Sequence, residues 1–362
     1  MLAFVAAALV VLALVERAWV RAGADGFVVL TTTTRVPVLG WFARVVTAEP
    51  RVEETRVAGL PATVARPPGK APWPALVFLN GVTARGRRHP EVQRLARGFA
   101  RAGYFVVVPD LPGLRSGTLT FRTYEGAVDV TLATEYRTRG DVTLAGVSVG
   151  ASLALVAAED PRVAARVRVV LGVAPYASVA QVARLATTST YRAGRRIVPY
   201  RPDSFVGLVI GRSLAAALPP GADRTRLLGV LRSRHKRDRR PLRDLPPMRS
   251  RGGGALRRLL SNRDPRRFDA LWARLPVSVR RAPFLSPLAH VRRLRAPVYL
   301  ATAPHDKYFP PAESRALAAR SVKVHVTVTR TLAHAVPHFS GGDVADLFRF
   351  VAFLVRGLHA AR

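Results

Sequence analysis

Short, almost uninterrupted apolar runs punctuate the chain, and between them apolar positions recur at helical spacing. ALVFL (75–79), YFVVVPD (104–110), VTLAG (142–146) and VRVVLGVA (167–174) are such runs. After a long gap, PVYLA (297–301) and VKVHVTVT (322–329) resume the pattern. Runs of this length, rich in Val and bounded by Gly or Pro, predict strands buried on both faces. Residues 53–66 predict leading strands, PPGKAPWP a turn, residues 90–103 a helix, and residues 111–140 an irregular stretch. Strands alternating with amphipathic helices predict an α/β fold: a mainly parallel, doubly wound sheet covered by helices.

Between Pro175 and Pro287 that rhythm stops. Residues 176–192 and 255–274 read as helices. The stretch joining them is charged, broken by prolines and closed by Gly252-Gly253-Gly254, and most of residues 232–254 is expected to form a mobile loop. The expected organisation is an N-terminal hydrophobic segment (1–24), a core built from 50–175 and 284–362, and an Arg-rich helical insertion (176–283).

The candidate chemistry sits where strands end. Gly146-Val147-Ser148-Val149-Gly150 joins an apolar strand to an Ala-rich helix. That context suits a serine held on a tight turn, with glycines leaving room for neighbouring backbone. Asp306 follows the strand at 297–301, and His334 follows the strand at 322–329. In a parallel sheet the carboxyl ends of the strands share one rim, so the three residues can converge there. A serine hydroxyl needs a base to become a nucleophile, and an imidazole oriented by a carboxylate supplies one. His338 lies four residues beyond His334 and is the alternative base. His305 reads as a solvated loop residue, and Tyr176, Tyr191, Phe205 and Trp272 are candidates to line a substrate pocket.

LNGVTARG, PDLPGL, GVSVGASLAL, SPLAHVRRLRAPVYLATAPHDKYFPP and the terminal His region occur together in that order. On these residues the chain resembles the α/β-hydrolases over roughly residues 55–175 and 284–360. The resemblance implies a serine hydrolase of carboxylic esters with Ser148, His334 and Asp306 as its triad. Its oxyanion donors would be the backbone N–H groups of Val149 and Val82. Relatives usually carry His-Gly where this chain has Asn80-Gly81, which leaves the Asn80 side chain to brace the loop or touch substrate. The insertion would be a cap over the site. The same triad serves acyltransferases and amidases, and a catalytically silent module binding anionic lipid through a basic cap is an alternative of another class.

Composition adds two features. Of 362 residues 57 are Lys or Arg and 23 Asp or Glu, for a net charge of +34, nearly all from arginine. A coding bias toward arginine accounts for this as readily as a function does, yet either way anionic surfaces attract such a chain. The densest cluster is Arg232, Arg234, Lys236, Arg237, Arg239, Arg240 and Arg243. No aromatic residues interleave with it, so an anionic membrane is favoured over nucleic acid as partner. The second feature is LAFVAAALVVLALV at residues 2–15. As a helix it spans about 21 Å, and with Trp19 at an interface it could just anchor the chain in a membrane. A signal peptide or a helix docked on the domain are the other readings, so secreted and cytoplasmic locations stay open. No spacing implies a metal or cofactor, and the absence of cysteine leaves the redox compartment open.

Overall fold

The computed structural model describes residues 2–33, 41, 45, 47–138, 140–235, 238, 241–280, 285–334, 336–337 and 344–362, with side chains outside 2–15 and 336–337. Eight strands form one sheet: β1 (Arg51–Val57), β2 (Leu60–Arg66), β3 (Ala75–Leu79), β4 (Phe105–Pro109), β5 (Val142–Val147), β6 (Val167–Val173) and, after the insertion, Val298–Thr302 and Val324–Val328. Their spatial order is β1, β2, β4, β3, β5, β6, then 298–302, then 324–328. The β1–β2 and β2–β4 pairs are antiparallel and the others parallel. The sheet is thus mainly parallel, with its antiparallel pairs at one edge. β3 and β4 are buried at every position, as apolar runs with helices on both faces require.

Two hydrophobic cores lie against the sheet. One gathers Val77, Leu79, Leu144, Leu153 and Val170 with side chains of the insertion. The other gathers Phe78, Val106, Val169 and Leu171 with Val29, Phe99, Phe353 and Leu358. Helix α1 (Leu2–Thr33) contributes to the second core beside α2 (Pro90–Arg101) and the terminal helix Val344–Ala360. Ala22 and Val29 of α1 are buried, and Trp19 stacks on His359 at 3.9 Å. Arg362 donates to Asp25 Oδ2 from Nε (3.0 Å) and Nη2 (2.8 Å), while its guanidinium lies over the Tyr104 ring. The expected segment boundary at residue 24 therefore falls inside one continuous helix. Among the described residues no helix is long and apolar enough to cross a membrane. The side chains of 2–15, on which the anchor expectation rests, lie outside those described.

Three local expectations are corrected. Residues 121–138 form helix α3 (Phe121–Thr138) where an irregular stretch was expected. Its Thr, Gly and β-branched residues disguise it, but Thr131, Thr134 and Thr138 return their hydroxyls to the carbonyls four residues back. Secondly, the loop expected within 232–254 is trimmed at its ends: α7 (Ala222–Ser233) runs into its start and α8 (Arg251–Ser261) takes up all three glycines. Ser250 caps α8 by accepting from Gly253 N–H, and Asp223 holds the Arg249 and Ser250 N–H groups. Thirdly, the insertion's first helix, α5 (Val179–Thr188), leads into a hairpin of Thr190–Ala193 with Arg196–Pro199 before α6 (Ser204–Ala216). Of the basic cluster, Lys236, Arg237, Arg239 and Arg240 lie outside the described residues.

Candidate active site

Ser148 occupies the turn between β5 and α4 (Val149–Ala158) with φ 54° and ψ −127°. A non-glycine residue held at positive φ stores strain that the surroundings must enforce. They do so through close backbone approach. A Cβ on Gly146 would lie 2.5 Å from Gly150 O, and one on Gly150 would lie 1.9 Å from Leu79 O. Both glycines are therefore required by volume. Ser148 N–H donates to Val173 O at 2.7 Å, tying the turn to the neighbouring strand.

Asp306 lies in the loop after strand Val298–Thr302, its residue 3% exposed. Its Oδ1 accepts from Tyr308 N–H (2.7 Å) and Phe309 N–H (3.1 Å), so the loop itself holds the carboxylate in place. Its Oδ2 lies 2.7 Å from His334 Nδ1. The His334 backbone has φ 58° in the turn after Leu332–Ala333, and Tyr308 tilts over the imidazole at 4.4 Å between centroids. His338 lies outside the described residues, while His305 is exposed beside the acid.

Ser148 and His334 line one cavity of about 770 Å³, together with Gly81, Val82 and Val149. Ser148 Oγ makes no hydrogen bond with a described residue. The Val82 and Val149 N–H groups likewise donate to no described residue. Asn80 is 1% exposed, and its Nδ2 donates to Gly81 O at 2.8 Å. It braces the loop from behind and is absent from the cavity wall.

Of the four expected pocket residues, Tyr176 and Phe205 line the cavity. Tyr191 instead packs on Tyr200, and Trp272 on Phe268. Aromatic character alone does not separate the two outcomes; position in the insertion does. Sequence reasoning also missed the residues that hold the site's loops. Arg87, buried, pairs with Asp110 of the PDLPGL motif and with Glu54, and its N–H donates to Asp110 Oδ1. That pins the loop carrying Gly81 and Val82. Glu313, wholly buried, accepts from Ala177 N–H (2.7 Å) and Ser178 N–H (3.2 Å) at the root of the insertion. Burial pushes its carboxyl up to about 7, although the two N–H donors pull the other way. Asp203 N–H donates to Lys307 O at 2.7 Å, joining the insertion to the loop of Asp306. No signal short of the fold identifies these contacts. Among the described residues no three His, Asp or Glu side chains gather as a metal site.

Comparison with solved structures gives distant likenesses. An acylaminoacyl peptidase from Pyrococcus horikoshii is 13% identical over 87% of this chain and 41% of its own, with a TM-score of 0.49. Brefeldin A esterase, described as a bacterial homologue of human hormone sensitive lipase, is 18% identical over 87% and 77%, at 0.45. A membrane phospholipase A, described as a bacterial virulence factor, is 14% identical over 98% and 99%, also at 0.45. The chain spans about two fifths of the length of the peptidase it matches. No curated protein matches it. The model of the alpha/beta hydrolase family matches residues 76–347, a span that takes in the strained serine and the imidazole on one cavity and the acid bonded to that imidazole. On that match the chain belongs to the alpha/beta hydrolase family.

Proposed function

We propose that this chain is a serine hydrolase of carboxylic esters that works through an acyl-enzyme on Ser148. The observation that carries the reading is the 2.7 Å contact of Asp306 with His334 Nδ1, beside a strained serine on the same cavity. With the Nδ1 proton shared with Asp306, His334 Nε2 is left as the base. It takes the Ser148 proton as Oγ attacks the ester carbonyl, and the Val82 and Val149 N–H groups receive the oxyanion. Collapse of the tetrahedral adduct expels the alcohol, which leaves with the proton from His334. Water then attacks the acyl-enzyme by the same route, releasing the carboxylic acid and restoring Ser148. The largely apolar wall, including Leu119, Val206, Ile210 and Leu285, suits an acyl or alkyl chain.

Labelling with a fluorophosphonate tests the reading, compared between wild type and Ser148→Ala. Serine-dependent labelling with turnover of p-nitrophenyl esters is the expected result. A folded wild type that is neither labelled nor active on any acyl length would remove the reading.

A further inference from the structure

The cavity's charge is one-sided. Besides its histidines, the charged side chains on its described wall are Glu91, Arg122 and Arg224. The Glu91 carboxylate is taken up by Arg94 at 2.9 Å. Arg122, exposed in the first turn of α3, and Arg224, half-buried in the first turn of α7, make no hydrogen bond or ion pair with a described residue. The acids closest to them along their own helices are committed elsewhere. Glu125 pairs with Arg162, and Asp223 accepts from Arg249 N–H, Ser250 N–H and Ser250 Oγ. The segments bearing the two arginines are linked, since Leu119 N–H donates to Ser213 Oγ on α6 at 2.9 Å and a short turn joins α6 to α7.

Two guanidinium groups without an ion pair among the described residues, on an otherwise largely apolar wall, have a plain chemical meaning. A neutral ester would leave both without a counter-charge, whereas an amphiphile with one anionic end satisfies wall and cations together. Guanidinium recognises phosphate and carboxylate through paired N–H donors. The chain's net charge of +34 also draws such anions to the molecule as a whole. We propose that the cavity takes an ester with one apolar chain and a phosphate or carboxylate group, the anion being held by Arg122 and Arg224. For turnover this rests on the esterase reading; for binding it does not.

The test begins with Ser148→Ala protein, octyl phosphate and 1-octanol, titrated by calorimetry at low salt. Octyl phosphate should bind about tenfold more tightly or better, the worth of one charge-assisted hydrogen bond. In Arg122→Gln/Arg224→Gln on the same background the two probes should bind alike, while Arg122→Lys/Arg224→Lys keeps most of the preference. Equal binding of the two probes by the parent, or a preference that survives the glutamine pair, overturns the proposal. With Ser148 intact, two substrate pairs locate the anion. Octanoylglycerol 3-phosphate against octanoylglycerol places it on the alcohol side; mono-4-nitrophenyl suberate against 4-nitrophenyl octanoate places it on the acyl side. A higher kcat/KM for the anionic member of either pair, lost in the glutamine pair, supports the proposal and names the side. Phosphate-selective binding without turnover of any ester keeps the proposal and removes the esterase reading. Turnover with no anion preference in either pair does the reverse.

Discussion

Asp306 Oδ2 lies 2.7 Å from His334 Nδ1, while Asp306 Oδ1 holds the N–H groups of Tyr308 and Phe309. One carboxylate thus sets both the imidazole's tautomer and the shape of its own loop. Asp306→Asn separates the two duties. The amide oxygen still accepts from the loop, but the amide NH₂ turned to Nδ1 leaves Nε2 protonated and unable to act as base. The proposed activity should fall by roughly three to four orders of magnitude in kcat with little change in KM. Steady-state kinetics on a p-nitrophenyl ester, with thermal melting to confirm the fold, checks this.

Gly150 and Gly229 should respond in opposite directions to alanine. A Cβ at Gly150 meets the Leu79 carbonyl at 1.9 Å, while nothing lies within 4 Å of one at Gly229, in helix α7. Gly150→Ala should cost about 3 kcal/mol or more by overpacking at the serine turn. Gly229→Ala should gain about 0.5–1 kcal/mol, since alanine has less backbone freedom to lose. Urea denaturation of both variants reads the difference directly.

Glu159, at the end of α4, is 3% exposed, and neither carboxylate oxygen has a partner. Burial pushes its carboxyl up to about 9, against a smaller pull from Arg293. The folded value lies above the unfolded one, so the folded chain keeps a proton that the unfolded chain releases. Its contribution is full below the unfolded pKa and is lost as pH rises toward 9. Glu159→Gln mimics the protonated form at every pH. The variant's Tm advantage over wild type should therefore widen steadily between pH 5 and pH 9, and a constant difference across that range would refute the assignment.

Helix α1 should matter to stability. Trp19 stacks on His359, Asp25 pairs with Arg362, and Ala22 and Val29 belong to the second core. Removing residues 1–33 uncovers Phe99 and Phe353 on the second core and should lower Tm markedly and promote aggregation. Differential scanning fluorimetry with light scattering checks this.

Much of the core was legible in the residue pattern because fully buried parallel strands need unbroken apolar runs. ALVFL appears as Ala75–Leu79 with every position buried, and VTLAGV as β5 leading straight into the serine turn. The glycines at 146 and 150 were legible for a related reason: a turn this tight admits no Cβ, whatever surrounds it. Helix α3 was not, because its threonines satisfy their hydroxyls against their own backbone and blur the amphipathic period.

What the sequence determined by itself was the chemistry at strand ends: a serine between glycines, an acid, and a histidine in an order that permits convergence. Burial pattern is local, so it is written along the chain. Tertiary structure alone decided which side chains meet. It set Asp306 rather than its neighbour His305 inward, put Tyr176 and Phe205 on the cavity wall but Tyr191 and Trp272 in packing, and gave Arg122 and Arg224 no ion pair among the described residues. It also docked α1 on the core through Asp25 and Arg362, residues 337 positions apart. Such outcomes depend on distances between segments remote in sequence, and no local periodicity records them.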